Sequence, residues 1–325
     1  MTEPLPSYAD LPVTPGAPPG SSWGVWGEGD VLGCLNLLTE DRVLAGIASV
    51  RRGRVFPLNL ELELPGPTLF GRSSFVHTVH TRPSGHDDEL SDWNTQSSSQ
   101  WDGFRHIRHM VHGFYNGVAD EDHGVHHWAQ KGIAGRAVLV DVARWRASVG
   151  RPLRPDIPDP IDAADLHLTL SSQGVEVEPG DILLIRTGWL SWYRSLDAGA
   201  RAALAGDAGL ACCGLAPGPE SAAALWDLHV AAVAADNPAL EVWPPGSLLE
   251  PEDAAAARQD PDRASEFFLH FSLLPLLGIP IGELFDLDAL AEDCARDSVY
   301  TCLLTSAPLN LAAGVASPPN ALAIK

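Results

Sequence analysis

The sequence predicts one mixed α/β domain with several long active-site loops, and three observations predict it. Two continuous apolar runs of strand length, 137–142 and 182–187, read as strands covered on both faces, as in a sheet flanked by helices. Helical spacing recurs after them, at 220–228, 265–277 and 283–296. Across the 325 residues there is neither an internal repeat nor a composition shift sharp enough to mark a second domain.

In chain order, residues 1–22 hold Pro4, Pro6, Pro12, Pro15, Pro18 and Pro19, and proline offers no amide hydrogen to a helix interior or an inner strand. An extended arm is expected there, attached to a domain of 23–325. Residues 39–50 have the spacing of a short helix with Thr39 as its cap. From 55 to 64, Phe56, Leu58 and Leu60 alternate with Val55, Pro57 and Asn59, the period of a half-buried strand. Residues 81–99 are polar, with Pro83, Gly85 and a serine run, and are expected to form one long loop. Pro219 opens a helix that ends near Leu228. A buried strand follows at 230–235, running into Asp236-Asn237-Pro238; 244–264 is a polar, acidic excursion, and 299–305 is a last strand.

Composition removes several function classes. With 42 acidic against 21 basic residues the formal charge is −21, which repels phosphate backbones and anionic headgroups, so neither nucleic acid nor a membrane is an expected partner. Five cysteines, two of them adjacent at Cys212 and Cys213 and none in a CxxC spacing, argue against a disulfide framework or a cysteine zinc cage and for a reducing cytoplasm. The opening Met-Thr-Glu-Pro-Leu-Pro has no basic, apolar leader character, and no apolar run reaches about 18 residues. Lys131 and Lys325 are the only lysines, which leaves little scope for Schiff-base chemistry. The proline-rich arm and the apolar stretch 309–324 suit burial against another subunit, so a homo-oligomer, dimer or tetramer, is expected.

Chemistry concentrates in Ser99-Gln100-Trp101-Asp102-Gly103-Phe104-Arg105-His106, taken with His270 and Glu283. A carboxylate followed four residues on by an imidazole, with a second such pair supplied from far along the chain, can hold a divalent metal and a catalytic base. The bland alternatives are a capping aspartate, a hydrogen-bonded His106 and a satisfied core His270. Trp101, Phe104 and Tyr115 suit an aromatic pocket for planar substrates, and equally a core. Of the other histidines, His109, His112, His123 and His127 read as solvated loop residues, while His126 is placed in the pocket. His77 and His80, three apart on a strand, point to opposite faces.

The stretch from Gln96 to His106 resembles the HxGTHxDxPxH signature of the metal-dependent cyclase superfamily, which includes bacterial kynurenine formamidase and isatin hydrolase. Residues 177–189, 235–238 and 269–284 are similar to it as well, and the likeness spans roughly 50–310. It implies a swivelling β/β/α fold, commonly oligomeric, with zinc or manganese in a site that hydrolyses formamides or cyclic amides. By position, Asp102, His270 and Glu283 would ligate metal and His106 would be the general base. Gln96 and Gln100 stand where the signature has ligand histidines, and Phe104 replaces its proline. An amide oxygen is a weaker, harder ligand than imidazole, which tilts a shell of Gln96, Gln100, Asp102, His270 and Glu283 from zinc toward manganese. The implied reaction is metal-assisted hydrolysis of a cyclic amide, lactone or N-formyl small molecule. Two alternatives stay open: a cyclase or dehydratase of secondary metabolism working by acid–base chemistry, and a small-molecule binding homologue without catalysis.

Overall fold

A computed structural model describes residues 5–206, 209–260 and 263–325; the first four residues of the proline-rich arm, and Pro261 and Asp262 of the acidic excursion, lie outside them. The described part of the arm lies along the body. Tyr8 N–H donates to Asp227 at 2.6 Å, and the Trp226 indole donates to the Pro6 carbonyl at 2.9 Å.

Helix α1 (Glu40–Ser49) precedes β1 (Val55–Pro57), the ribbon β2 (Val76–Arg82) and β3 (Gly85–Ser91), and β4 (Gln100–Asp102). Then come α2 (Val125–Lys131), β5 (Ile133–Val140), α3 (Val142–Ser148), β6 (Pro160–Ile161), α4 (Ala163–Gln173) and β7 (Ile182–Ile185). Helices α5 (Trp189–Ser195) and α6 (Ala198–Ala205), β8 (Gly214–Leu215), α7 (Pro219–Asp227) and β9 (Ala232–Ala235) follow. The chain ends through α8 (Pro251–Gln259), α9 (Ala264–Phe267), α10 (His270–Leu273), β10 (Ile281–Glu283), α11 (Asp288–Asp297), β11 (Thr301–Ser306), β12 (Ala316–Ser317) and β13 (Ala321–Ile324).

Among the described residues a nine-stranded sheet runs in the order β1-β13-β11-β5-β7-β9-β10-β4-β12. Its centre, β5-β7-β9-β10, is parallel, and antiparallel strands complete both sides. Strands β7 and β9 read as continuous apolar runs for that reason: they are buried at every residue, covered on both faces. No helix among the described residues is long and apolar enough to cross a membrane.

Several expectations need correction. Residues 81–99 are not one loop, because β2 and β3 form a ribbon from 76 to 91. Nearly every ribbon residue is exposed, so no apolar alternation marks it; His77–Asp88, His80–Glu89 and Arg82–Asp87 pair across it instead. The strand read over 55–64 stops at Pro57, although Phe56, Leu58 and Leu60 are all buried as the alternation requires. The helix read over 265–277 is two short pieces, α9 and α10. Between them the Glu241 carboxylate accepts from the N–H groups of Leu269 and His270, drawing off donors that a continuous helix would use. Glu283 does not begin a helix: it closes β10, and helix α11 starts at Asp288. The acidic excursion contains α8, a helix too rich in alanine and charge to show an apolar face.

Candidate active site

Strands β4 and β10 build the site through their register. They pair antiparallel with Gln100 opposite Glu283, Trp101 opposite Gly282 and Asp102 opposite Ile281. Alternation along a strand then puts Gln100, Asp102 and Glu283 on one face and Trp101 on the other. Gly282 is needed in that register, because a Cβ there would lie 2.5 Å from Ala234 Cβ and 2.7 Å from the Phe285 ring. After Asp102 the chain turns tightly, with His106 N–H donating to the Gly103 carbonyl at 2.8 Å, and the turn swings the His106 ring back over the same face. His270 arrives from the start of α10.

These side chains converge. Asp102, His106 and His270 offer ligand atoms that all lie within 4.8 Å of one another. His270 Nε2 is 3.8 Å from Asp102 Oδ2 and 3.3 Å from Glu283 Oε1. Atoms bound at about 2.1 Å to one ion and about 90–110° apart stand roughly 3.0–3.4 Å from each other, so the two contacts of His270 Nε2 are near what a shared divalent metal requires. The other His270 nitrogen, Nδ1, is 2.7 Å from Glu241 Oε1, and a carboxylate behind an imidazole in this way turns Nε2 toward Asp102 and Glu283. The donor set therefore fits a divalent ion held by Asp102 and His270, with the Glu283 carboxylate beside His270.

Gln96 and Gln100 are placed otherwise than a ligand shell requires. A carboxylate only accepts hydrogen bonds, so each amide must present its NH2 to it. Gln96 Nε2 donates to Asp102 Oδ1 at 2.6 Å, and Gln100 Nε2 donates to Glu283 Oε2, lying also 3.4 Å from both Asp102 oxygens. Arg72 confirms the orientation of Gln100 by donating to its Oε1 at 3.1 Å. An amide nitrogen has no lone pair to give a metal. Both glutamines thus grip the outer oxygens of the carboxylates whose inner oxygens face His270.

Electrostatics follow from burial and this crowding. Burial opposes the Asp102 charge, but His106, His270 and Arg72 outweigh it and hold the carboxyl below its usual range. Burial, then the neighbouring Asp102 charge, pushes Glu283 up to about 7. Burial also opposes a charged His270, yet the Glu241 carboxylate and the hydrogen bonds to Asp102 and Glu283 raise it well above the ordinary imidazole value. A positive charge is favoured at that point. His106 moves down, through burial first and then through His270 and Arg72.

Above the cluster opens a cavity of about 290 Å³, walled by Phe70, Ile107, Pro238, Ala239, Trp243 and Phe268, with Arg72, His106, His270 and Glu283. Phe268 stacks on the His270 ring, centroids 4.5 Å apart; Phe70 meets Trp243 edge-on at 4.9 Å, and the Arg72 guanidinium lies 4.9 Å from the Phe70 ring centroid. The aromatics assigned to a pocket from the sequence sit elsewhere. Trp101 is wholly buried on the opposite sheet face, its indole donating to Ser306 Oγ at 2.9 Å. Phe104 packs in the core against Tyr115 and Trp128, and the Tyr115 hydroxyl donates to Asp30. His126 is outside the cavity wall, accepting from Ala313 N–H and lying against His127.

Sequence reading missed Arg72, Glu241 and the aromatic walls. Glu241 had a signal, since it is one acid within the apolar Ala239–Trp243 run just after Asp236-Asn237-Pro238. Those flanking residues are braces. Asp236 accepts from Thr187 N–H at 2.6 Å, Thr187 Oγ1 at 2.7 Å and Gly188 N–H at 2.9 Å, and the Asn237 carbonyl accepts from Leu284 N–H at 3.0 Å, next to Glu283.

The sequence model of a family described as putative cyclase matches residues 54–242. Among solved structures, one described as a novel cyclase is 30% identical, covers 94% of this chain and 97% of its own, and superposes with a TM-score of 0.77. Isatin hydrolase A from Labrenzia aggregata is 16% identical, covering 87% of this chain and 97% of its own, with a TM-score of 0.55. Isatin hydrolase A from Ralstonia solanacearum is also 16% identical, covering 87% and 96%, with a TM-score of 0.56. The two hydrolases share the mixed α/β fold. No curated protein matches the chain.

Proposed function

The chain belongs to the putative cyclase family, and we propose that it is a metal-dependent hydrolase of a small molecule carrying a cyclic amide, lactone or N-formyl group. The observation that carries this reading is the approach of Asp102 Oδ2 and Glu283 Oε1 to His270 Nε2 beside an aromatic cavity whose wall includes His270 and Glu283. A divalent metal, manganese or zinc, bound there would supply Lewis acidity toward a carbonyl and toward water. The chain's own residues do the rest. Phe70, Trp243 and Phe268 take up a planar body and exclude water from around it, Glu241 keeps His270 oriented, and His106 stands beside the cluster to handle hydrogen at the reacting group. The reading places one domain over 23–325 with the arm of 1–22, acting in the cytoplasm as a homo-oligomer, to which exposed Val76, Val79 and Leu90 on the ribbon lend support.

A second reading rests on a different observation. Two amides already partner the site's carboxylates, and the Arg72 guanidinium holds one of them through the Gln100 amide oxygen, which suits a metal-free cyclase or dehydratase using acid–base chemistry. Plasma mass spectrometry of the purified chain beside Asp102→Ala separates the two. About one equivalent of manganese or zinc in the wild type, lost in the variant, is the expected result. Absence from both, with no uptake on incubation with manganese, overturns the metal reading.

A further inference from the structure

Building on the reading just given, in which His106 works at the reacting group, we infer that Gln96 is a positioning residue that holds the His106 proton on Nε2 and so makes the ring a hydrogen-bond donor to the substrate carbonyl rather than a base. The Gln96 amide nitrogen touches two groups: Asp102 Oδ1 at 2.6 Å and His106 Nδ1 at 3.1 Å. Asp102 is fully buried and its carboxylate only accepts, which fixes the amide with its nitrogen inward. That nitrogen carries two hydrogens and no lone pair. One goes to Asp102, and the other points at His106 Nδ1, which must therefore be bare. The ring's proton is then on Nε2.

The position of Nε2 gives that proton its use. Nε2 is 3.9 Å from Asp102 Oδ2, too far for a hydrogen bond, yet this is the oxygen that faces His270 across the cluster. The ring lines the cavity, so the Nε2–H is available to a carbonyl oxygen placed beside the cluster. As water adds to the carbonyl carbon, negative charge gathers on that oxygen, and a neutral N–H donor fixed beforehand stabilises it without any transfer of the proton. A histidine in place of Gln96 could offer Asp102 or His106 one hydrogen per nitrogen but not two from a single atom. The glutamine therefore does something here that an imidazole does not. It also sits on a braced backbone: Gln96 N–H donates to Asn94 Oδ1 at 2.9 Å, and its carbonyl accepts from Arg72.

Nitrogen-15 NMR of the full chain labelled at histidine, with His106→Ala to assign the ring, reads the tautomer directly. The wild type is expected to show His106 protonated at Nε2 with an accepting Nδ1. In Gln96→Glu, which keeps the side chain's length, the carboxylate at this position takes a hydrogen from the ring, and the signal is expected to switch to the Nδ1–H pattern. Gln96→Ala should give a mixture of the two. A wild-type ring protonated at Nδ1, or an Nε2–H pattern unchanged in both variants, overturns the inference. The measurement needs neither metal nor substrate. A chain that takes up no manganese but shows the switch loses the metal reading and keeps this one.

Discussion

Glu241 Oε1 accepts from His270 Nδ1 at 2.7 Å beneath the cavity, while Glu241 Oε2 is held by Leu269 N–H and the stacked Phe268 ring covers the imidazole. One buried acid thus interrupts a helix and fixes the direction of the His270 ring. Glu241→Gln keeps the shape but leaves one acceptor oxygen for three donors, with an NH2 in place of the other. Manganese affinity by titration calorimetry is expected to fall about 10- to 100-fold. Stability should drop by about 1–3 kcal/mol, the cost of a buried donor left unpaired. Unchanged affinity would mean that His270 needs no such support.

What the sequence revealed followed the range of the forces involved. The parallel core was legible because β7, β9 and the second half of β5, from Ala137 to Val140, are buried on both faces and are therefore apolar without interruption. The His270–Glu283 pair was legible by type and resemblance, although the segment was misread as helical, because strand β10 is only three residues long and its neighbour β9 is distant in sequence. The cavity walls were not legible. Trp101 went to the opposite face through a register fixed by the pairing with β10 and β12, while Phe70, Trp243 and Phe268 come from loops and helix edges that carry no periodicity. The roles of Gln96 and Gln100 turned on which end of an amide faces inward, and that depends on Asp102, Glu283 and Arg72 together.

Gly282→Ala tests that register. The added methyl would meet Ala234 at 2.5 Å, the Phe285 ring at 2.7 Å and the Trp101 ring at 3.0 Å, all buried and closely packed. Forcing a methyl into such a place costs on the order of 1–3 kcal/mol. The urea midpoint should fall accordingly, and because β10 carries Glu283, metal uptake should weaken with it. A midpoint equal to that of wild type would show that the two strands can part freely.

Arg72 places a cation beside the cluster. Its guanidinium donates to Gln100 Oε1 and to the Gln96 carbonyl, and its charge bears on Asp102, His106 and Glu283. Arg72→Met keeps much of the bulk and removes that charge from the cluster. Manganese should then bind more tightly, by about tenfold, which corresponds to ~1.4 kcal/mol of relieved repulsion. Weaker binding in the variant would assign Arg72 to holding the glutamines in place, with its charge secondary.

Away from the site, Asp181 predicts a pH dependence of stability. Its side chain is fully buried between Glu178 and β7; one oxygen accepts from Glu178 N–H at 2.7 Å and lies 3.4 Å from Arg136, while Oδ1 has no hydrogen-bond partner among the described residues. Burial pushes this carboxyl up to about 6 against the partial opposition of the Glu178 N–H and Arg136. An acid with a raised folded-state pKa keeps its proton longer in the native chain than in the unfolded one, so the folded state loses stability as pH climbs from about 4 to about 6. Two pKa units correspond to at most ~3 kcal/mol. Asp181→Asn cannot ionise and removes this slope. Relative to wild type it should therefore gain stability between pH 4 and pH 7, by up to that amount in urea unfolding. A difference between the two chains that stays constant across the window would mean that Asp181 ionises in the folded protein as easily as it does in water.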